Sequence, residues 1–317
     1  MSRLAGASVL VTGAAGFVGP HLARSLAARG AVVHGLGLGE PPAGAPLASW
    51  TGVDLLASAP LPEAVGRAAP DVVVHLAGQS SAARSFAEPA ETFRANVLGT
   101  RGLLAAVRAR APRARVLIAS TSEVYGPVAP GTRAAEDAPA NPVSPYALSK
   151  LAAERAAAEL AARDGLDVVI ARPFGHAGPG QSPAFMLPAF AQQIAAIEAG
   201  RAGPVLRVGN LDVTRDLSDV RDVVEGYVAL LERGAPGATY NLCRGEGVHL
   251  RALVGALAGL ARTPVRVEVD PARLRPADLP YLVGDPERTA QACGWRVTRP
   301  LETTLRDVLA EWRAAAG

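Results

Sequence analysis

The sequence contains almost no lysine. Lysine and arginine together number 32 among 317 residues, yet Lys150 is the only lysine. Arginine therefore fills basic positions by default, and Lys150 marks a candidate position at which a guanidinium does not serve. The 29 acidic residues reduce the net charge to +3, so no basic surface for nucleic acid is expected.

Cysteine is also scarce. Cys243 and Cys293 show no metal-ligand spacing and are too few for a disulfide scaffold, so no metal site is expected and a reducing, cytoplasmic location is favoured. The first apolar run passes directly into glycines, without the long apolar core of a signal peptide. No stretch reaches the roughly 18 apolar residues of a membrane span, so no membrane association is expected.

Short apolar runs alternate with longer alanine-rich stretches. Runs such as SVLVTG, DVVVHLAG and RVLIAS are nearly all apolar, which is typical of parallel strands covered on both faces. We predict an α/β fold with a Rossmann-type doubly wound parallel sheet over residues 1–173 and a smaller C-terminal lobe over residues 174–317. Residues of about 211–233 are expected to return to the first domain.

A glycine-rich loop follows the first predicted strand. Gly13, Gly16 and Gly19 form the pattern GxxGxxG, with Phe17 and Val18 at the start of the next helix. Glycines here let the backbone turn tightly and approach a pyrophosphate, which binds the free N–H groups of the helix N-terminus. The loop therefore predicts a dinucleotide site for NAD or NADP.

The residues that would discriminate between NAD and NADP are missing. Near 35–39, where the second strand is predicted to end, neither an acidic residue for the ribose hydroxyl of NAD nor an arginine for the phosphate of NADP is present. Glu40 or a more distant arginine is an alternative. Asp54 follows the third strand and is either an adenine-side residue or a turn aspartate, so the choice of cofactor stays open.

Tyr146 and Lys150 form a candidate acid/base pair. They stand four residues apart at the start of a predicted helix, so both side chains project from one face. An ammonium within about 4–6 Å stabilises tyrosinate and lowers the phenol pKa from about 10. We therefore expect Lys150 to lower the pKa of Tyr146 and make it a usable proton donor and acceptor.

Further motifs accompany this pair, at residues 75–78, 96–100 and 120–126. With the glycine loop and Tyr146/Lys150, they resemble the extended short-chain dehydrogenases/reductases that act on nucleotide sugars, over essentially the whole chain. The resemblance implies that Thr121 completes a catalytic triad. It also implies that Asn96 braces the helices beneath the cofactor. Cofactor contacts are expected from the loop residues, Tyr146 and Lys150, and from Asp54, Leu55, Leu76 and Ala77.

Both domains supply the predicted substrate contacts. Two arginine-bearing segments, at residues 209–216 and 273–278, resemble those with which relatives bind the diphosphate of a GDP-linked sugar. Arginine suits phosphates because its planar guanidinium forms paired, charge-assisted hydrogen bonds. Gly175 stands where relatives usually have Asn, which removes an expected amide contact. His176 is expected to contact the ligand through its backbone or simply to pack. The expected substrate-binding residues are Ser80, Thr121, Ser122, Glu123, Tyr146, His176, Asn210, Arg215, Arg275 and Asp278.

The resemblance favours one reaction and leaves others open. It implies NAD(P)H-dependent reduction of the 4-keto group of a GDP-6-deoxy-4-keto-hexose to GDP-D-rhamnose, in a homodimer formed through helices near 92–110 and 146–163. Dehydration of GDP-mannose with tightly bound NAD(P), using Glu123 as a catalytic acid/base, is the alternative. A nucleotide-sugar 4-epimerase fits the arginine segments less well. A dinucleotide-binding redox sensor is disfavoured because Thr121, Tyr146 and Lys150 are all present.

Overall fold

The computed structural model describes residues 2–57, 59–274 and 278–316. The strands are β1 (Ser8–Thr12), β2 (Val32–Gly37), β3 (Ser49–Gly52), β4 (Val72–His75), β5 (Arg115–Ala119), β6 (Asp167–Pro173), β7 (Gly175–Ala177), β8 (Val205–Val208), β9 (Thr214–Asp219), β10 (Thr239–Leu242), β11 (Gly247–His249), β12 (Arg266–Val269) and β13 (Tyr281–Leu282).

The α-helices are α1 (Val18–Ala27), α2 (Pro60–Ala68), α3 (Ala82–Ala87), α4 (Pro89–Phe93), α5 (Gly99–Arg110), α6 (Pro145–Asp164), α7 (Met186–Glu198), α8 (Val220–Arg233), α9 (Leu250–Gly259), α10 (Glu287–Cys293) and α11 (Leu301–Ala316). A π-helical turn covers Arg94–Leu98, and 3₁₀-helices cover Ser122–Tyr125 and Pro271–Arg273. None of the helices in these described ranges is long and apolar enough to cross a bilayer.

The central sheet has seven strands in the order β3-β2-β1-β4-β5-β6-β10, and every neighbouring pair is parallel. The chain reverses its direction across the sheet between β1 and β4. Ligands of such sheets bind at this reversal, outside the carboxyl ends of the strands. The predicted α/β fold with a doubly wound parallel sheet is confirmed.

The side chains of successive strand residues are buried on opposite faces of the sheet, because the strands are pleated. On β1, Val9 and Val11 pack with α1 and α8, whereas Leu10 packs with α2, α5 and α6. Because both faces are covered, the middle residues of β1, β4, β5 and β6 are all apolar, and polar residues stand near the strand ends. The sheet therefore holds the ends of β1, β4, β5 and β6 in fixed positions next to one another.

The C-terminal part of the chain contributes to both regions. Helices α7, α9 and α11 bury a separate apolar core, and β9 forms a small sheet with β7, β11 and β13. Helix α8 packs on the central sheet beside α1. Strand β10 pairs with β6 and is the seventh strand of that sheet. Residues 214–219 lie in the small sheet, immediately before the helix that returns.

Candidate active site

The glycine loop lies between β1 and α1, and its glycines are required by close backbone contacts. Gly13 has φ 70°, and a Cβ at this residue would lie 2.6 Å from the backbone N of Ala77. At Gly19, a Cβ would lie 2.2 Å from the carbonyl oxygen of Ala14. Gly16 is exposed and its backbone N–H donates to the Gly13 carbonyl at 2.9 Å.

Helix α1 begins after Phe17, whose side chain makes no capping hydrogen bond. Val18 N–H, at the first position of the helix, has no acceptor within the helix, whereas Gly19 N–H donates to the Gly16 carbonyl at 3.2 Å. Amides at a helix N-terminus attract an anion. The loop, the adjoining Leu76–Ala77 segment and the helix end thus fit a dinucleotide pyrophosphate.

A neutral histidine supports this loop from below. Thr100 Oγ1 donates its hydrogen bond to the Asn96 carbonyl at 2.6 Å, so it acts as the acceptor for His75 Nε2–H at 3.0 Å. The other ring nitrogen, His75 Nδ1, accepts a hydrogen bond from Thr12 Oγ1 at 2.7 Å. Burial, and to a lesser extent the charge of Lys150, lower the pKa of His75 to about 3. His75 is therefore a structural link between β1, β4 and α5.

Asn96 braces the loop that follows β4. Its Oδ1 accepts the N–H of Gln79 at 2.8 Å, and its Nδ2 donates to the Gln79 carbonyl at 3.1 Å and to Ser149 Oγ at 2.8 Å. Gly78 must remain a glycine here because its Cβ would lie 2.5 Å from Asn96 Oδ1. These bonds tie the cofactor-side loop to α6, in keeping with the bracing role that the resemblance implied.

Trp50 covers the end of β2. A Cβ at Gly35 or Gly37 would lie 2.8 Å and 3.0 Å from its ring, and Trp50 Nε1 donates to the Gly39 carbonyl at 3.1 Å. An acidic side chain at position 37 would therefore not fit. The sequence pattern gave no signal for this tryptophan, because it lies on the neighbouring strand.

The two remaining adenosine-side candidates lie just after β3. Asp54 is exposed, and its Oδ1 accepts the N–H of Leu56 at 2.9 Å, which is the behaviour of a turn aspartate. Leu55 packs at the start of α5, where its Cβ lies 3.5 Å from the position that a Cβ at Gly99 would take.

Tyr146 and Lys150 lie on the first two turns of α6. The helix is capped by Ser144, whose Oγ accepts the Ala147 N–H at 3.1 Å. Tyr146 is buried and shares a hydrogen bond with Thr121, while Lys150 Nζ donates to the Ala119 carbonyl at 2.6 Å. The end of β5 and the start of α6 thus bring the three predicted catalytic residues together.

The protonation of this group differs from the expectation drawn from spacing. Burial raises the pKa of Tyr146 above its ordinary value, Glu123 raises it further, and the bond with Thr121 only partly offsets both. Burial lowers the pKa of Lys150 to about 8, against the opposing charge of Glu154. The expected lowering of the tyrosine pKa is thus absent, because burial favours the neutral phenol. Tyr146 holds its proton at neutral pH.

Ser122 and Glu123 follow Thr121 on the 3₁₀-helix. Thr121 Oγ1 accepts the N–H of Glu123 at 3.2 Å, which caps that helix and fixes the threonine side chain. Both Ser122 and Glu123 line the cleft between the two sheets. The structure therefore places these predicted substrate residues against the same space.

A buried ion pair lies behind the catalytic group and was not predicted. Arg172 donates from Nε to Glu154 Oε1 at 3.0 Å and from Nη2 to Oε2 at 2.6 Å. Both residues are more than nine-tenths buried. The only local signal was the position of Glu154, one further turn of α6 beyond Lys150.

The opposite wall of the cleft carries predicted phosphate-binding residues. Arg215 Nη2 donates to Asp278 Oδ1 at 2.7 Å, and Asn210 Nδ2 donates to the other oxygen of Asp278 at 3.2 Å. Arg215 and Asp278 line the cleft together with Ser122 and Glu123. Arg275 lies outside the described residues. Ser80 is exposed, next to the helix α3 that contributes Ala82, Ala83 and Phe86 to the cleft wall.

Strand β7 crosses between the two walls. Gly175 lines the cleft, and a Cβ there would lie 2.8 Å from the Asp216 carbonyl oxygen, so the close pairing of β7 and β9 accounts for glycine at this position. His176 stacks on Phe17 with 6.0 Å between ring centroids, and its Nδ1 donates to the Phe174 carbonyl at 2.9 Å. Burial lowers the pKa of His176, so it packs as a neutral ring.

The cleft thus lies between Ser122 and Glu123 on one side and Arg215 and Asp278 on the other. Thr121, which is hydrogen-bonded to the buried Tyr146, directly precedes Ser122. In the part of the chain that the structure describes, no three His, Cys, Asp or Glu side chains cluster as metal ligands. A protonated tyrosine next to a dinucleotide site is suited to protonating an oxygen as a hydride arrives at the attached carbon.

Known proteins with similar sequences identify the family to which this chain belongs. The sequence model of the GDP-mannose 4,6-dehydratase family matches residues 10–308. A GDP-6-deoxy-D-mannose reductase from Pseudomonas aeruginosa is 37% identical over 313 residues, which cover 96% of this chain and 97% of that protein.

Two solved structures are similar over nearly their whole length. RMD from Pseudomonas aeruginosa, complexed with NADPH, has a TM-score of 0.83 at 35% identity and covers 98% of this chain and 99% of its own. UDP-glucose 4-epimerase from Thermus thermophilus, complexed with NAD, has a TM-score of 0.85 at 33% identity, with 97% and 99% covered. The chain therefore belongs to the GDP-mannose 4,6-dehydratase family, within the extended short-chain dehydrogenases/reductases.

Proposed function

We propose that the protein reduces the 4-keto group of a GDP-6-deoxy-4-keto-hexose with NADH or NADPH and releases GDP-D-rhamnose. The observation that carries this proposal is the full-length similarity to a GDP-6-deoxy-D-mannose reductase, over 96% of the chain. The protonated state of Tyr146 supports it, because reduction needs a proton donor.

The cofactor would be held at the glycine loop. Gly13, Gly16 and the N-terminus of α1 would bind the pyrophosphate, next to Leu76 and Ala77, which lie against Gly13. When bound, the reduced nicotinamide supplies a hydride. Lys150 binds the nicotinamide ribose and keeps a positive charge beside Tyr146, a role that its Nζ at the end of β5 permits.

Tyr146 protonates the sugar oxygen at C4. Thr121, which shares a hydrogen bond with Tyr146, binds the same oxygen and holds it in line with the phenol. Removal of water from this buried site strengthens both bonds. General acid catalysis of this kind contributes about 10²–10⁴-fold.

The nucleotide diphosphate binds at the opposite wall. Arg215, three-quarters buried and already oriented by Asp278, presents a planar fork to a phosphate. Asp278 then accepts a hydrogen bond from the nucleotide ribose, and Asn210 donates one to it. Arg275 is proposed as the second phosphate ligand from its motif alone.

Glu123 supports a second candidate, dehydration of GDP-mannose. Its carboxyl lies in the cleft and acts on Tyr146, a position suited to an acid/base for water elimination. Several GDP-mannose 4,6-dehydratases are similar to the chain, among them one from Vibrio cholerae with 28% identity over 95% of this chain and 91% of that protein.

One experiment separates the two reactions. Purified protein is offered GDP-mannose without added cofactor and, separately, the GDP-linked 4-keto-6-deoxy sugar with NADH or NADPH. We expect oxidation of the reduced cofactor only with the keto sugar. Conversion of GDP-mannose without added cofactor would contradict the reductase proposal.

We further infer a homodimer in the cytoplasm. Leu98 and Leu148 are about half exposed, on the π-helical turn and on α6, within the segments proposed for the interface. Cys243 and Cys293 are both buried and free, which suits a reducing compartment. Light scattering on the purified protein measures the assembly, and a monomeric mass would contradict it.

A further inference from the structure

The Glu154–Arg172 pair reaches every element that carries a catalytic residue. Glu154 lies on α6, one turn after Lys150, and its Oε1 also accepts a hydrogen bond from Ser120 Oγ. Ser120 stands between Ala119, whose carbonyl holds the ammonium of Lys150, and Thr121. The carboxylate therefore fixes the end of β5 against the helix.

Arg172 extends the connection to the 3₁₀-helix and to β10. Its Nη1 donates to Tyr125 Oη at 3.0 Å, at the end of the 3₁₀-helix that carries Glu123. Tyr125 Oη in turn donates to Asn241 Oδ1 at 2.6 Å, and Asn241 Nδ2 donates to the Ala134 carbonyl at 2.8 Å. One buried network thus connects α6, β5, β6 and β10.

Lys150 is placed among several charged or titratable groups. Burial lowers the pKa of Lys150, and the negative charge of Glu154 raises it. Neutral His75 lies at the end of β4. The groups on the surrounding elements are Tyr146 and Glu154 on α6, His75 on β4, Glu123 on the 3₁₀-helix and Arg172 on β6. The charge of Lys150 therefore depends on a carboxylate that Arg172 partly neutralises.

We propose that Glu154 is a positioning residue, which together with Arg172 sets both the charge and the direction of the Lys150 ammonium. This inference deepens the proposed function and concerns the residue on which it rests. Burial of both partners makes the pair costly to build, since charges inside a protein lose their hydration. Stability alone is a weak reason for such a pair, and control of the neighbouring lysine supplies a functional one.

The single lysine of the chain makes the proposal directly measurable. Protein produced with lysine labelled by carbon-13 at Cε gives one folded-state lysine signal, that of Lys150. Its chemical shift against pH reports the ionisation of this ammonium without sugar, cofactor or turnover. We expect a midpoint near 8 in the unaltered protein.

Two substitutions break the same ion pair and should move this midpoint in opposite directions. In Glu154→Gln, the ammonium loses its negative neighbour, so the midpoint falls by about one pH unit or more. In Arg172→Met, the carboxylate is no longer neutralised by the guanidinium, so the midpoint rises. A purely structural pair would leave the midpoint in place or shift it the same way in both variants, and either result overturns the proposal.

If one of the single variants fails to fold, the double variant Glu154→Gln/Arg172→Gln is titrated as well. It removes both charges and therefore leaves no unpaired charge in the interior. Its midpoint is expected between those of the unaltered protein and of Glu154→Gln, and a value at or above that of the unaltered protein overturns the proposal. Glu159→Gln and Arg155→Met, both exposed on α6, are the matched controls and should leave the signal unchanged.

Turnover supplies a separate readout. Glu154→Gln should lower kcat for the keto sugar about tenfold at pH 9, because a midpoint that falls from about 8 to about 7 reduces the charged fraction of Lys150 about tenfold there and less than twofold at pH 7. KM should stay within about threefold, because the residue acts through Lys150 and not on the sugar. An unchanged kcat at pH 9 would contradict positioning. If the unaltered protein fails to reduce the keto sugar, the proposed function fails, but the titration of Lys150 still decides this inference.

Discussion

Replacement of Gly13 by alanine should weaken cofactor binding as well as the fold. The residue has φ 70°, where a non-glycine residue costs about 1–2 kcal/mol. Its new Cβ would also stand 2.6 Å from Ala77 N, whereas an ordinary contact begins at 3.4 Å. The Leu76–Ala77 segment must therefore retreat by about 0.8 Å, and this segment lines the predicted pyrophosphate site.

Gly165→Ala is the matched control. Gly165 has the same φ of 70° at the C-terminal end of α6, but a Cβ there meets nothing within 4 Å. Both variants should lose about 1–2 kcal/mol of unfolding free energy in urea from backbone strain, and Gly13→Ala should lose more because its Cβ meets the backbone of Ala77. Only Gly13→Ala should bind NADPH and NADH at least about tenfold more weakly by titration calorimetry, a cost of about 1.4 kcal/mol. Equal Kd values for the two variants would refute the assignment of the loop.

Tyr146→Phe should lower kcat about 10²–10⁴-fold with little change in KM for the sugar, and a loss below tenfold in steady-state assays would remove Tyr146 as the proton donor. Lys150→Arg should keep the positive charge yet lose about 10²-fold in kcat, since a guanidinium cannot take the same contacts at the Ala119 carbonyl; near-normal turnover would refute this. Because the pKa of Lys150 is about 8, its charge is present below that pH and lost above it, so kcat/KM should fall as pH rises through about 8, and a flat profile there would argue against a charged lysine. Arg215→Met should raise the Kd of GDP-linked sugars at least about tenfold, whereas Arg251→Met, which removes an exposed ion pair with Asp212, should not; equal effects would contradict a phosphate role.

Local spacing was enough to predict the chemistry-bearing elements. GxxGxxG at residues 13–19 and Tyr146 with Lys150 each lie within one loop or one helix, so sequence distance translates directly into geometry. The nearly all-apolar strands likewise predicted the doubly wound sheet, because only a sheet covered on both faces accepts such runs.

Contacts between distant segments could not be predicted in this way. Trp50 lies over Gly35 and Gly37 because β3 pairs with β2, and β10 joins the sheet beside β6, which no local pattern specifies. The pKa of Tyr146 was predicted in the wrong direction because helical spacing places Lys150 nearby but does not report burial. Only the three-dimensional structure weighs the loss of solvent against a neighbouring charge.

The fate of the hydride tests the proposed reaction most directly. The protein is incubated with the GDP-linked 4-keto-6-deoxy sugar and nicotinamide cofactor that carries deuterium at the transferable position, and the product is examined by mass spectrometry and NMR. Reduction by this site predicts one deuterium per product molecule, bound to C4 of the sugar, with oxidation of an equal amount of cofactor. A product without deuterium, or with deuterium at any other carbon, would contradict the reductase proposal.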